Sequence, residues 1–289
     1  MDHASSKLPP ELVPAGPGIE VLRLAALLAD GKALDGETMD AMHAEVQTGA
    51  LESVSLANAW REFERGLMAR APALMIQALQ ASGALQIVLP EVASLFGVPQ
   101  IADEPGQVDI GEHVLAALNG AAQSGAPLEV RFALLTMNVG KSDSPRAHLP
   151  VHYRHIERGR PRIEAICERF AVPATCRDLA LLALAECERV HRVSRVRAGP
   201  VAAMLERIGA FADPARLPPL LSVCACDYFA FKGRSEAIYP KAQLLRAALK
   251  VCSEIDATAF ESAEDLHAAR AVAIAKAFRS RRWSSEALE

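Results

Sequence analysis

The sequence predicts an all-α fold, on three observations. Its 289 residues are 51% hydrophobic but only 5% aromatic, and alanine and leucine dominate, a mix that favours helix packed on helix. Apolar residues recur at helical spacing along nearly the whole chain, punctuated by glycine and proline. Nowhere does the alternating, β-branched pattern of a strand stand out.

Residues 1–17, rich in Pro, Ser and Gly, read as a disordered arm. The first helix spans 19–29, where Val21, Leu22, Leu24, Leu27 and Leu28 make a broad apolar face and Gly31 ends it. Helices follow over 37–47, 54–70 and 72–82. Pro72 sits just inside its helix, where a missing N–H costs nothing, and Gly83 supplies the left-handed turn after it. Phe96 to Val108, with Gly97, Pro99, Pro105 and Gly106, reads as a loop. Helices resume over 110–123 and 129–137, and a long polar loop covers 139–156. The remainder reads as helices over 157–170, 174–192, 198–210, 214–231, 240–254 and 262–280. No internal repeat stands out.

The net charge of −4 argues against binding a polyanion through bulk charge. Charge is focused, however: from Arg146 to Arg197 eleven Lys and Arg face six Asp and Glu. Such a stretch is either an anion or nucleic-acid face or a set of solvated helix surfaces. Six cysteines at 167, 176, 187, 224, 226 and 252 include no CxxC pair, which argues against a structural zinc site and for a reducing, cytoplasmic compartment. The N-terminus lacks a basic start and apolar stretch, and no run of about 18 apolar residues exists to span a membrane.

Gly140-Lys141-Ser142 resembles the end of a phosphate-binding loop, but Leu135 stands where a further glycine is needed and a helix, not a strand, precedes it. The histidines are more informative. His113 lies in VDIGEHVLAAL; LLTMNVGKSDSP, HLPVHYRHIERG and AECERVHRV follow in order. Together with EVLRLA, WREFERGLM, GALQIVLPEVASLFGVPQ, HYRHIERGRPRIEAICERFAVP and YPKAQLLRAAL, these phrases resemble the HD superfamily. More narrowly, they resemble the HD-containing, C-terminal part of bacterial tRNA nucleotidyltransferases, the CCA-adding enzymes. The resemblance covers almost the whole chain.

It implies a multi-helix neck and body with a degenerate HD-type helical domain. A helical neck would occupy 18–96, the HD-like domain 97–212 and a helical tail 213–289. The catalytic head of such enzymes carries a Gly-Ser loop and paired aspartates that hold two Mg²⁺. None of these residues matches either element, so transfer by this sequence alone has no chemistry to run on. In the neck helix Arg23 matches an arginine that pairs with the incoming base, while Glu20 and Ala26 stand where others belong. An ordinary surface charge is the other reading of Arg23.

At the HD site His113 is the early histidine. The adjacent His-Asp pair falls on Met137 and Asn138, and a later histidine position on Cys187, with His191 kept and His152 and His155 in the loop. A thioether and an amide are poor partners for hard Mg²⁺ or Mn²⁺. The expectation is therefore no cofactor and no catalytic residue, with a divalent metal as the weaker alternative. His148, His152 and His155 with Cys187 form a second, softer Zn²⁺ possibility; the bland reading is ordinary buried or solvated histidines. Arg154, Arg158, Arg160, Arg162, Arg189, Arg192, Arg195 and Arg197 make the expected RNA-gripping surface. Arg279, Arg281 and Arg282 with Trp283 are either an added contact or a solvated end.

The resemblance thus implies a non-catalytic protein that holds tRNA, another structured RNA or a separate protein chain. Two alternatives stand beside it. One is the non-head half of a split tRNA nucleotidyltransferase acting in tRNA 3′-end processing. The other is an HD-type phosphohydrolase or divergent metalloenzyme.

Overall fold

A computed structural model describes residues 16, 18–31, 36–103, 106–193, 197–234 and 239–280. The expected arm at 1–17, apart from Gly16 and Gly18 beside it, lies outside them, as do Arg195, Arg281, Arg282 and Trp283. Among the described residues there are fourteen α-helices and one two-stranded sheet, so the protein is predominantly all-α. No described helix is long and apolar enough to cross a membrane.

The helices are α1 (Ile19–Ala29), α2 (Gly36–Gln47), α3 (Leu56–Met68), α4 (Pro72–Ala81), α5 (Ala84–Val88), α6 (Pro90–Ala93) and α7 (Ile110–Gln123). They continue as α8 (Leu128–Thr136), α9 (His155–Phe170), α10 (Ala174–His191), α11 (Ala198–Ile208), α12 (Leu217–Phe229), α13 (Pro240–Ser253) and α14 (Ala263–Ser280). Strands β1 (Pro99–Ile101) and β2 (Gln107–Asp109) pair antiparallel, with Gln100 opposite Val108. This hairpin corrects the expectation of a plain loop at 96–108. Strands of three residues are too short for an alternating pattern to declare itself. The short helices α5 and α6 escaped the sequence reading for the same reason of length.

One continuous hydrophobic core runs through these elements. In the N-terminal part α1 packs on α3 and α4. In the middle α8 packs on α7 and α10, and α9 lies on α10. At the C-terminal end α14 packs on α11 and α13. Helix α12, which the sequence reading groups with the tail, packs against α7, α8 and α10.

Two tight approaches locate the site. Gly111 opens α7 directly under Phe96, whose ring a Cβ would meet at 2.5 Å. Gly140 sits in a short 3₁₀ turn, Val139–Lys141, against α9, where a Cβ would lie 2.0 Å from the His155 carbonyl oxygen. Gly140 thus serves the packing of the 139–144 segment onto α9. This agrees with the rejection of a phosphate loop there.

Candidate functional site

The β1–β2 hairpin delivers Asp109 to the N-cap of α7, where its carboxylate accepts from the Glu112 N–H at 3.0 Å. That cap orients the first turn of α7 and buries His113. Helix α10 carries Cys187 and His191 one turn apart, on the same face. Helix α12 supplies Asp227, and Tyr239 leads into α13.

These four elements converge on one carboxylate. His113 Nε2 lies 2.9 Å from Asp227 Oδ1, and His191 Nε2 lies 2.9 Å from Oδ2. A carboxylate only accepts, so both imidazoles donate. The other His191 nitrogen, Nδ1, is 2.7 Å from the Tyr239 hydroxyl. Cys187 Sγ is 3.4 Å from His191 Nε2.

The electrostatics follow from this geometry. Burial alone would raise the Asp227 carboxyl, but His113 and His191 hold it well below the usual carboxylate range. Burial alone would lower the His191 pKa; its contacts with Cys187 and with the Asp227 carboxylate outweigh that and raise it. The Cys187 thiol is pushed up by its hydrogen bond with Cys224 and by burial, and so stays protonated. Asp227 is therefore the anion that holds the His191 proton. Burial pushes the Tyr239 hydroxyl far above its usual range, so it remains a neutral phenol.

The cluster opens on a cavity of about 290 Å³ whose wall includes Met137, Asn138, Lys141, Tyr228 and Arg234. Lys141 Nζ donates to Gln100 at 3.2 Å and lies 3.4 Å from Glu188. Arg234 stacks over Tyr228 with 4.1 Å between the guanidinium carbon and the ring centroid, and pairs with Asp103 at 2.8 Å.

Of the residues the HD resemblance singles out, Met137, Asn138, His155, Cys187 and His191 line this cavity, and His113 is buried behind Asp227. A hard divalent ion does not fit them: Met137 offers a thioether and Asn138 an uncharged amide where charged oxygen ligands are needed. The loop histidines do not gather into a soft-metal site. His152 bridges Ser144 at 2.8 Å and the Pro99 carbonyl at 3.0 Å; His155 Nδ1 donates to the His152 carbonyl at 2.8 Å. His148 packs edge-on against Tyr153. They are spent on fixing the loop to β1 and α9.

Sequence reasoning missed Asp227 and Tyr239, and named Lys141 only within the phosphate loop it set aside. A signal for the first existed: Asp227 is a lone carboxylate in LPPLLSVCACDYF, and a charge inside so apolar a helix requires a buried partner.

The arginines divide into two groups. Arg158 donates to the Gly140 carbonyl at 3.0 Å and to Ser144 at 3.0 Å. Arg162 donates to the Val139 carbonyl at 2.8 Å and to Asp143. Both clamp the 139–144 segment. Arg154, Arg160, Arg189, Arg192 and Arg197 are exposed, four of them with a glutamate alongside and Arg197 at the N-cap of α11. Arg23 is only 8% exposed and pairs with Glu62 at 3.4 Å, so it is an internal ion pair rather than a surface charge.

Fold and site together define a predominantly helical protein built round a buried imidazole–carboxylate–imidazole centre beside a cation-lined cavity. No family model matches the chain. It is, however, 38% identical over 268 residues to the Multifunctional CCA protein of Burkholderia cenocepacia, covering 90% of this chain and 65% of that protein. It is also 38% identical over 247 residues to that of Cupriavidus necator (85% and 60%) and 37% identical over 268 residues to that of Paraburkholderia phymatum (90% and 64%). The chain is a homologue of the multifunctional CCA proteins, consistent with a C-terminal part of one, and it spans less than two thirds of the length of these relatives.

Proposed function

We propose that these 289 residues serve as a non-transferring, RNA-holding relative of the CCA-adding tRNA nucleotidyltransferases, with tRNA or a similarly structured RNA as ligand. The observation that supports this most is the state of the cavity. Where a phosphohydrolase would need an imidazole and a carboxylate on a hard metal, Met137 and Asn138 form the wall, and His113 and His191 both bond to Asp227. The cavity has lost that chemistry while the exterior keeps exposed cations.

Arg23 supports the same reading. Its guanidinium lies between Glu62 at 3.4 Å and Glu20 at 3.6 Å, so its charge is already matched within the protein. A base-templating group must present its donors to the incoming base instead.

Grip without base readout needs only positive charge and shape. The experiment is a titration of labelled tRNA with purified protein at about 50 mM and about 200 mM salt, beside an assay for CCA addition. Binding that weakens steeply with salt, with no addition, is the expected result. No binding at the lower salt would refute the proposal. CCA addition restored by an added protein carrying the missing carboxylates would instead favour a split enzyme.

A further inference from the structure

We infer that Cys187, His191 and Asp227 form a binding site for a borderline-soft divalent ion of the zinc class, with one coordination position open to the cavity. Two of the three, Cys187 and His191, stand at expected HD-site positions, but the Met137–Asn138 pair and the loop histidines take no part, and Asp227 completes the group.

The three ligand atoms, Cys187 Sγ, His191 Nε2 and an Asp227 oxygen, all lie within 4.8 Å of one another. Two of the separations are 3.4 Å from sulfur to nitrogen and 2.9 Å from nitrogen to oxygen. Zinc bonds of ~2.0 Å to nitrogen or oxygen and ~2.3 Å to sulfur put tetrahedral ligand atoms ~3.3–3.5 Å apart, so these two pairs need adjustments of only a few tenths of an ångström. Two ligands come from one face of α10 a turn apart, and the third from the helix packed against it. The backbone therefore already holds the set.

The surroundings match what a metal ligand needs. A ligating imidazole commonly donates its other N–H to an oxygen, and His191 Nδ1 has the Tyr239 hydroxyl at 2.7 Å. A ligating carboxylate is held by a second donor, and His113 supplies it to Asp227 at 2.9 Å. Cys187, His191 and Asp227 all line the cavity, which leaves room for a water or a ligand oxygen as the fourth donor. The thiolate is what changes the preferred ion: sulfur favours zinc over magnesium or manganese. On binding, the ion replaces the proton on His191 Nε2 and the proton on Cys187 Sγ, and both protons pass to solvent.

Cobalt(II) tests this directly, since it takes zinc geometry and reports a sulfur ligand by a near-ultraviolet charge-transfer band. The chelator-treated full chain is titrated with Co²⁺ and then with Zn²⁺. The expected result is a band that saturates near one equivalent, is erased by Zn²⁺, persists in Cys252→Ser and is absent in Cys187→Ser, whose Zn²⁺ affinity falls at least tenfold. No saturating band in the native protein, or an unchanged band in Cys187→Ser, overturns the site. If Cys187→Ser does not fold, X-ray absorption of the zinc-loaded native protein decides: a sulfur neighbour at ~2.3 Å supports the site and its absence refutes it. The readout needs no RNA, so it stands or falls apart from the RNA-holding proposal.

Discussion

His113 and Asp227 are 114 positions apart in the chain, yet Nε2 of one lies 2.9 Å from Oδ1 of the other. The bond ties α7 to α12, and the second Asp227 oxygen ties α12 to α10 through His191. All three residues lie in or beside the core, with His113 and Asp227 buried. A buried carboxylate is tolerable only with such partners, and the partners in turn depend on it.

Asp227→Asn should therefore cost more than a surface substitution would. It removes the charge that holds the His191 proton and leaves two imidazoles competing for one amide oxygen. We expect a loss of about 3 kcal/mol, the range found on breaking one side of a buried pair. Urea unfolding followed by circular dichroism measures it. A loss below about 1 kcal/mol would mean that ring packing, such as the 4.2 Å approach of His113 to Phe231, holds these helices unaided.

Arg131 offers a second test of buried charge. It is 4% exposed and donates to the carbonyls of Ala126, Leu67 and Ala69, each at 2.8 Å. Burial lowers its pKa, but a guanidinium in a protein stays protonated. It closes the C-terminal end of α3 and fastens it to the start of α8. Arg131→Met keeps the length and removes every donor, leaving buried carbonyls unpaired; the expected cost is about 3 kcal/mol in the same unfolding measurement.

The sequence made the helices legible and the centre only half so. The stretch 19–29 reads as a helix because its apolar face and Gly31 are local signals, and α1 ends at Ala29. Cys187 and His191 could be paired from spacing alone, one turn apart. Asp227 could not, because its partners come from α7 and α10, and only tertiary packing unites them. The arginines show the same limit: Arg158 and Arg160 are two residues apart, yet the first turns onto Gly140 and the second faces solvent. Which side of α9 meets the 139–144 segment decides that, and the Gly140–Gly159 approach decides the side.

Two loop histidines predict a pH dependence. Burial lowers the pKa of His152 and His155 from 6.5; the Pro99 carbonyl is the chief opposing influence at His152 and Glu188 at His155. Each ring binds its proton less readily folded than unfolded. Their contribution is thus complete above about pH 6.5 and is lost as the pH falls below it, where the unfolded chain takes up protons first. Urea midpoints between about pH 7.5 and about pH 5 should fall more steeply for the native protein than for His152→Gln. Equal slopes would rule out His152 as a source.

Ala171 ends α9 with φ of +51°, a conformation that costs an L-residue about 1–2 kcal/mol and glycine almost nothing. The residue is exposed, so removing its methyl group sacrifices little packing. Ala171→Gly should raise stability by about 0.5–1 kcal/mol after allowing for the greater freedom of glycine in the unfolded chain. A lower melting temperature would count against the strain.

The two groups of arginines predict opposite phenotypes, which separates an RNA-gripping surface from mere basic composition. Arg158 and Arg162 spend their donors on the Gly140 and Val139 carbonyls, so alanine there should lower the melting temperature. Arg154, Arg160, Arg189, Arg192 and Arg197 are exposed, and surface pairs with glutamate contribute little to stability. Alanine at these positions should leave the melting temperature nearly unchanged and weaken tRNA binding alike across tRNA sequences. Removing an arginine that neutralises a phosphate should also flatten the plot of log affinity against log salt, by nearly one unit for each phosphate released. Replacing all five with no change in slope would place the RNA elsewhere on the protein or remove RNA from the account altogether.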